Sequence, residues 1–217
     1  MQLTTQHLQL AGADLELHPY RAIFWQQEEA LLIADLHLGK VQHFRREGFP
    51  LPQDVTNTNW DKLIALLLEY RPERVYFLGD LFHSDWNAEW EEFCDLMERF
   101  PRVAFSLVLG NHDRLSDKAY SRSRMDILDE PYQVGGLLLS HHPLGEHDAA
   151  YNLAGHIHPA VRLSGGGRQR LKLPCFYFGE RTGILPAFGV FTGTKVLTPK
   201  SDDQVFVVTD SAVIRAT

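Results

Sequence analysis

The chain of 217 residues has few cysteines and no long hydrophobic segment. Its two cysteines, Cys94 and Cys175, lie far apart and form no CxxC pair, which excludes the disulfide framework of a small secreted module. No run of about eighteen apolar residues, which a membrane-spanning helix needs, occurs in the chain, and no basic stretch followed by an apolar run begins it. These absences predict a soluble cytoplasmic protein with no membrane partner.

Positive charge is also scarce, because 21 Lys and Arg stand against 28 Asp and Glu and give a formal net charge of -7. Surfaces that bind duplex DNA along their whole length neutralise phosphates with many Lys and Arg, so this composition argues against such a surface. A local basic groove remains compatible with it, and bound metal cations would change the local charge. The length and the 44% hydrophobic content suit one well-filled core, so we predict a single domain over residues 1–217.

Short apolar segments alternate with helical patterns in the first half of the chain. Buried strands are predicted at 30–35, 74–80, 104–111, 136–142 and 205–210. Between the first three, apolar residues recur at helical spacing in 56–70 and 87–100, and a proline follows each segment. Such alternation favours a partly parallel sheet, and the strand-rich, glycine-rich remainder favours a second, mainly antiparallel sheet. We therefore predict an α/β fold, a two-sheet sandwich flanked by helices.

Each predicted strand of this region ends in polar side chains that bind metals or phosphates. These are Asp35 and His37, Asp80 and His83, Asn111 with His112 and Asp113, His141 and His142, and finally His156 and His158. Ligands of open α/β sheets bind outside the carboxyl ends of the strands, so these endings are expected to converge. Taken singly, each has an ordinary explanation as a strand-end cap, a turn or a surface histidine. Together they indicate a site.

The chemistry of this set points to divalent metal ions. Carboxylates, imidazoles and one amide oxygen form a mixed oxygen and nitrogen set, which suits Mn, Fe, Co or Zn better than a cysteine zinc site. Seven of these side chains are candidate ligands, which is more than one metal uses. Two metals that share a carboxylate would use all of them.

The order D-x-H, G-D-x-x-H, G-N-H-D, H-H-P and G-H-x-H, over residues 35–158, resembles the calcineurin-like metallophosphoesterase superfamily. The resemblance implies a four-layer αββα sandwich, with two mixed β-sheets flanked by helices, and a dinuclear site that hydrolyses phosphoesters with metal-activated water. In the implied ligand set, Asp35, His37 and His158 hold the first metal, Asn111, His141 and His156 hold the second, and Asp80 bridges them.

The resemblance also implies roles for residues next to the ligands. His112 lies near the phosphate and stabilises the transition state or protonates the leaving oxygen, while Asp113 orients its ring. His141 is preferred to His142 because the family's ligand is usually the first polar residue after this strand. Many members have Asp or Asn where this chain has His83, so His83 is assigned to substrate contact or to support of a ligand, with a surface histidine as the alternative.

Several longer stretches resemble the ligase-associated DNA damage response phosphoesterases. They are 34–52, 155–163, 172–178 and 185–193, and together with the ligand motifs they extend the likeness over nearly the whole chain. This resemblance implies a bacterial, Mn-dependent enzyme with phosphodiesterase and phosphatase activity that cleaves single-stranded DNA. It also implies that the enzyme acts with a ligase, a helicase and a nuclease encoded nearby.

Two basic clusters bear on the substrate. Arg45 and Arg46, with Lys40 and His43, follow the first ligand pair, and four more cations surround the glycine turn after the last pair: Arg162, Arg168, Arg170 and Lys172. Both clusters are positioned to contact a phosphate chain, and the alternative is that they are solvated loops.

Three functions remain open on the sequence. They are a DNA-repair endonuclease, a small-molecule phosphatase or nucleotide phosphodiesterase, and a metal-bound repair scaffold without turnover. The complete ligand motifs and His112 argue against the scaffold, because a scaffold needs no leaving-group acid.

Overall fold

The computed structural model describes residues 3–40, 54–82, 88–113, 120–121, 123–145, 150–165, 170–190 and 192–216. Seven strands form the first sheet. In spatial order they are β1 (Gln6–Leu10), β2 (Ala13–His18), β3 (Ala22–Trp25), β4 (Ala30–Ile33), β5 (Arg74–Leu78), β6 (Ala104–Val108) and β7 (Met125–Leu128). Strands β1 to β4 are antiparallel neighbours, and β4 to β7 run parallel. The carboxyl ends of β4, β5 and β6 therefore lie at one edge.

Two helices connect the parallel strands, as the spacing predicts. Helix α1 (Asp54–Tyr70) leads to β5, and α2 (Ala88–Arg99) leads from β5 to β6. Both helices pack on one face of the first sheet, where Leu67 and Phe93 join Phe77 in a buried cluster. Within the described part of the chain, no helix is long and apolar enough to cross a membrane.

Nine strands form the second sheet. They are β8 (Tyr132–Val134), β9 (Leu137–Ser140), β10 (Tyr151–Ala154), β11 (Pro159–Ser164), β12 (Arg170–Phe178), β13 (Thr182–Ile184), β14 (Lys195–Val196), β15 (Gln204–Val208) and β16 (Val213–Arg215). The main path runs β14-β11-β12-β13-β10-β9-β8, with β15 between β12 and β16. Strands β9, β10 and β13 are parallel at its centre, and most of the remaining pairs are antiparallel. The sheet is thus mixed.

The two sheets pack face to face over an apolar core. Leu32 and Leu78 of the first sheet meet Leu139 and Phe176 of the second in one buried cluster. The predicted α/β sandwich of two mixed sheets is confirmed. Both described helices lie on the first sheet, so the second helical layer of the αββα arrangement is not seen among the described residues. The outer face of the second sheet carries a small apolar cluster that includes Cys175.

Candidate metal centre

The loops that leave β4 and β5 stay hydrogen-bonded after the strands end. The Asp35 amide donates to the Gly79 carbonyl at 3.2 Å, and the His37 amide donates to the Asp80 carbonyl at 2.9 Å. These bonds hold the two loops side by side. The polar residues that follow β4 and β5 therefore reach the same point at the carboxyl edge of the sheet, as predicted.

The second sheet contributes its ligand candidates from the ends of two adjacent parallel strands. His141 follows β9, and His156 and His158 follow β10. The Gly155 amide donates to the His141 carbonyl at 3.1 Å, which keeps these exits together. The His156 amide donates to Asp35 Oδ2 at 2.9 Å. This bond joins the two sheets and brings the ligand candidates that follow β10 next to Asp35.

Asp35, His37 and His158 form the first group, with their ligand atoms within 4.8 Å of one another. His158 Nε2 lies 3.3 Å from Asp35 Oδ1. The other ring nitrogen, Nδ1, is 3.0 Å from the Gly193 carbonyl. Since a carbonyl oxygen only accepts hydrogen bonds, Nδ1 carries a proton, and Nε2 is the ring nitrogen that faces the carboxylate and can bind a proton or a metal.

The contact between Asp35 Oδ1 and His158 Nε2 indicates whether the first group suits a cation. Asp35 Oδ1 and His158 Nε2 are both buried, and neither makes a hydrogen bond with any described residue. Two electron-rich atoms in this position require a cation, either a proton or a metal, between them. The donor set of one carboxylate and two imidazoles fits a divalent metal ion.

The second group centres on the buried ring of His141. Its Nε2 lies 3.1 Å from Asn111 Oδ1 and 3.1 Å from His156 Nδ1. Its Nδ1 is 3.0 Å from the Leu78 carbonyl, which again places the proton on Nδ1 and leaves Nε2 as a lone-pair donor. An amide oxygen and two imidazole nitrogens thus point at one another, and this group also fits a divalent metal.

The carboxylate of Asp80 lies between the two groups. Its Oδ1 is 3.6 Å from His141 Nε2, and its Oδ2 is 3.9 Å from His37 Nε2. The Asp80 side chain is nearly inaccessible, with a relative exposure of 4%. Because each oxygen faces a different group, Asp80 has the geometry that a bridging ligand needs.

Backbone strain is concentrated at the predicted ligands. Asp35, His37, Asp80, His156 and His158 have φ angles of 54°, 50°, 49°, 65° and 51°. Residues other than glycine rarely adopt this left-handed region, and each such residue costs on the order of 1–3 kcal/mol. Strain of this kind persists where the surrounding structure fixes it, and clusters of it are typical of functional sites.

Two glycines allow the ligand side chains to approach the backbone. A Cβ at Gly79, which has a φ of 77°, would lie 2.2 Å from Nδ1 of His141. A Cβ at Gly155 would lie 2.6 Å from Asp35 Oδ2. The glycines that precede Asp80 and His156 therefore make space for ligands from the opposite sheet, in addition to permitting the turns.

The histidines of the two groups have different electrostatic surroundings. Burial lowers the pKa of His158, but the Asp35 carboxylate and the Gly193 carbonyl outweigh it, so that its pKa lies above the ordinary value. Burial, helped by the rings of His141 and His142, keeps the pKa of His156 below its ordinary value. His156 is therefore the more readily neutral ligand of the two.

His112 and Asp113 were predicted to act together. The His112 amide donates to Asp80 Oδ1 at 2.9 Å, and its half-buried ring lies edge-on to His37 with 5.7 Å between centroids. Asp113 instead accepts hydrogen bonds from the amides of Phe82 at 3.0 Å and Gly110 at 2.8 Å. Burial raises the pKa of Asp113 to about 7. These contacts brace the loops after β5 and β6, and they give no support to the expected orientation of the His112 ring.

His142 lies at the exposed side of the second group. Its ring centroid is 4.2 Å from that of His156, and its ligand nitrogen falls within the same 4.8 Å set as His141 and His156. His141 is fully buried, whereas His142 is exposed. His141 also contacts Asn111 and Asp80, so the geometry favours His141 as the ligand.

Glu130 supports the second group, and sequence reasoning missed it. Its Oε1 accepts hydrogen bonds from the amides of His141 at 2.8 Å and His142 at 3.1 Å, and so positions the loop that carries them. Glu130 belongs to no recognisable sequence motif, and only the fold places it next to the ligands.

Of the basic residues near the first ligand pair, Lys40 is described and is half-buried. Burial lowers its pKa, and attraction to Asp80 and Asp35 partly offsets this, which places its ammonium group within the field of the centre. Several predicted contacts lie outside the described residues: His83, Arg45, Arg46, His43 and Arg168.

Comparison with known proteins agrees with this geometry. Residues 30–183 match the family model of the calcineurin-like phosphoesterases, so the chain belongs to this family. It is a metal-dependent phosphoester hydrolase. Comparison with curated proteins found no match.

Among solved structures, the chain is similar to the nuclease MPE of Pseudomonas putida, at 30% sequence identity and a TM-score of 0.80. The similarity covers 98% of this chain and 100% of the nuclease. A second similar structure is YfcE, a phosphoesterase from E. coli, at 16% identity and a TM-score of 0.44, over 85% of this chain and 96% of that one.

Proposed function

We propose that this protein is a dinuclear, Mn-dependent phosphodiesterase that cleaves single-stranded DNA in bacterial DNA repair. The observation that carries the metal part of the proposal is that the Nε2 atoms of His158 and His141 face carboxylate oxygens, those of Asp35 and Asp80. The DNA part is supported by the similarity, over nearly the whole chain, to a protein described as a nuclease.

The ligands of the proposed centre fall into the two groups described above. Asp35, His37 and His158 would hold one metal. Asn111, His141 and His156 would hold the other, and Asp80 would contact both. When bound, such a metal pair lowers the pKa of a water molecule and neutralises charge that develops on phosphoryl oxygens.

The remaining residues serve proton transfer and positioning. The half-buried ring of His112, beside His37, is placed to donate a proton to the leaving oxygen. Lys40 supplies a cation close to Asp80 and Asp35, where it would attract a phosphate group. Asp113 and Glu130 hold the loops through backbone amides, and so keep the ligands in place.

The proposal also includes the setting of the reaction. A chromosomal DNA substrate would place the enzyme in the cytoplasm, in functional association with a ligase, a helicase and a second nuclease. A small-molecule phosphatase or nucleotide phosphodiesterase is the second candidate, and the net charge of -7 favours it because a nucleic-acid surface is usually basic. A scaffold without turnover would not need the solvent-accessible imidazole of His112.

The decisive experiment compares three substrates. The protein is stripped of metal, reconstituted with Mn(II), and assayed on a chromogenic phosphodiester, a phosphomonoester and end-labelled single-stranded DNA, with Asp80→Asn as the matched variant. Internal DNA cleavage that requires Mn(II) and is lost in the variant supports the proposal. Hydrolysis of the small esters alone supports the small-molecule enzyme. Absence of turnover with every divalent metal supports the non-catalytic scaffold. Parallel assays with Fe, Co and Zn identify the preferred ion.

A further inference from the structure

A cavity of about 430 Å³ lies beside the proposed centre, between the turn after β2, helix α1 and the second sheet. Arg21, Lys62 and Asp210 are the charged residues that line it, and its other walls are formed mainly by Pro19, Leu173, Pro174 and Val208. The proposed reaction does not use this cavity. Its walls carry two cationic side chains, Arg21 and Lys62, and one carboxylate, Asp210.

Both cations are partly buried and held in place. Arg21 Nη1 donates to the Ala187 carbonyl at 3.0 Å. The Lys62 ammonium lies 5.5 Å from the centroid of the Tyr20 ring, at a distance typical of a cation–π contact. Such fixed positions reduce the entropy cost of binding an anion.

Among the described residues, no carboxylate forms an ion pair with Arg21 or Lys62. Burial lowers the pKa of both residues, and the charge of Arg21 lowers that of Lys62 further. Asp210 is exposed and acts on both from a distance. No salt bridge joins Asp210 to either cation within the described part of the chain. An anion in the cavity would relieve the repulsion between the two cations.

Arg21, in the wall of the cavity, lies at the same edge of the first sheet as the ligands. Ala22, next to Arg21, pairs with Ile33 at the carboxyl end of β4, two residues before Asp35. Ala187, which holds Arg21, is two residues from Gly189, whose amide donates to the Asp35 carbonyl at 3.1 Å. Two residues span at most ~7 Å of chain. A polymer bound at the centre would pass close to the cavity.

We propose that this cavity binds a phosphate group of the substrate strand, at a linkage away from the one that is cleaved. Arg21 offers planar paired donors and Lys62 a mobile ammonium group, which together match the tetrahedral oxygens of a phosphodiester. This subsite rests on the proposed DNA function. It would favour polynucleotides over small diesters, although the chain as a whole is acidic.

The test compares two variants that change the cavity's charge in opposite directions. Lys62→Met removes one positive charge and keeps an apolar stem against Tyr20, and Asp210→Asn removes the acid from an exposed turn. The control is Arg102→Met, which removes an exposed arginine beside the amino end of β6, at the opposite edge of the sheet. For each, kcat/KM is measured on labelled single-stranded DNA and on a chromogenic diester, over a range of salt concentrations.

Lys62→Met is expected to lower the ratio of DNA to diester kcat/KM by about 5- to 10-fold and to reduce the salt slope for DNA by ~0.7, the value for one phosphate contact on a single strand. Asp210→Asn is expected to raise the ratio by about 2-fold or more, and Arg102→Met to leave it unchanged. Equal ratios and salt slopes for Lys62→Met and Arg102→Met would overturn the subsite.

A separate measurement distinguishes failure of the subsite from failure of the DNA function. If the wild type hydrolyses small diesters but not DNA, the DNA function fails, and the cavity is then tested with inorganic phosphate by thermal unfolding. Stabilisation of the wild type that is lost in Lys62→Met would show a phosphate site for a free ligand. Equal stabilisation of both proteins, or none, would refute the site altogether.

Discussion

The Nε2 atom of His141 lies 3.1 Å from the Nδ1 atom of His156, although both are imidazole nitrogens. The contact of His141 Nδ1 with the Leu78 carbonyl makes Nε2 a lone-pair donor. Either a proton on His156 or a shared metal ion satisfies this geometry. The same nitrogen faces Asn111 and Asp80, whose oxygens also donate lone pairs, and this convergence favours the metal.

Asp80→Asn tests the bridging carboxylate. Since its two oxygens face different ligand groups, loss of the charge should weaken binding at both, with kcat/KM reduced by roughly 100-fold or more. The measurement is the initial rate on a chromogenic diester, together with bound Mn(II) per chain. A variant that retains two metal ions and the wild-type rate would exclude Asp80 as the bridge.

His141→Ala and His142→Ala form a matched pair that tests which neighbouring histidine is the ligand. We expect His141→Ala to lower metal occupancy and to reduce kcat/KM by roughly 100-fold, because its ring contacts both Asn111 and Asp80. His142→Ala changes an exposed residue and should reduce kcat/KM by less than ~10-fold. The assignment is reversed if the larger loss of metal and rate follows the change at His142.

Gly79→Ala tests the space that the fold leaves for a ligand. The new Cβ would meet the His141 ring at 2.2 Å, so we expect a loss of more than ~2 kcal/mol of unfolding free energy and of most activity. Gly12→Ala is the control, because Gly12 has a similar φ of 82° and no atom near the added Cβ. The Gly12→Ala variant should lose only ~1 kcal/mol of unfolding free energy, because of backbone strain, and should retain the wild-type activity. Both variants are measured by denaturant unfolding and by the rate of diester hydrolysis. Equal losses in the two variants would contradict the view that Gly79 makes space for the His141 ring.

Glu89→Gln tests a buried carboxyl group outside the centre. Burial raises the pKa of Glu89 from 4.5 to about 7, and within the described residues its Oε2 has no hydrogen-bond partner. The folded protein therefore holds this proton more tightly than the unfolded chain. Protonation of Glu89 therefore contributes its full stabilisation below pH 4.5. Up to ~3 kcal/mol of unfolding free energy is lost as the pH rises towards and through 7.

The amide in Glu89→Gln cannot ionise, so the variant should lose this part of the pH dependence. Relative to the wild type, it should gain unfolding free energy between pH 5 and pH 8, as measured by denaturant unfolding of the metal-free protein. A constant difference between the two proteins over this range would mean that the folded and unfolded pKa of Glu89 are alike.

Much of the fold was predictable because its signals are local. The apolar segments at 30–35, 74–80 and 104–111 became β4, β5 and β6, and the two periodic segments became α1 and α2. The pairing of the second sheet was harder to predict, because its short strands include a parallel centre formed by β9, β10 and β13. Such pairing depends on which strands meet in space, and residues distant in sequence determine it.

The candidate centre was predictable in composition but not in its supporting contacts. Polar residues after buried strands identify the ligands, since parallel strands deliver their ends to one edge. The brace that Glu130 provides and the actual contacts of Asp113 follow from backbone amides that no sequence pattern displays.

The sequence by itself determined the chemical identity of the ligands and the strands that carry them, because hydrophobic runs and their polar endings are read along the chain. Only the tertiary structure decided which oxygen of Asp80 faces which imidazole, which ring nitrogen of His141 and His158 faces the other ligands, and that Arg21 and Lys62 share a cavity. These relations depend on distances between segments that are remote in sequence, and packing of the two sheets fixes those distances.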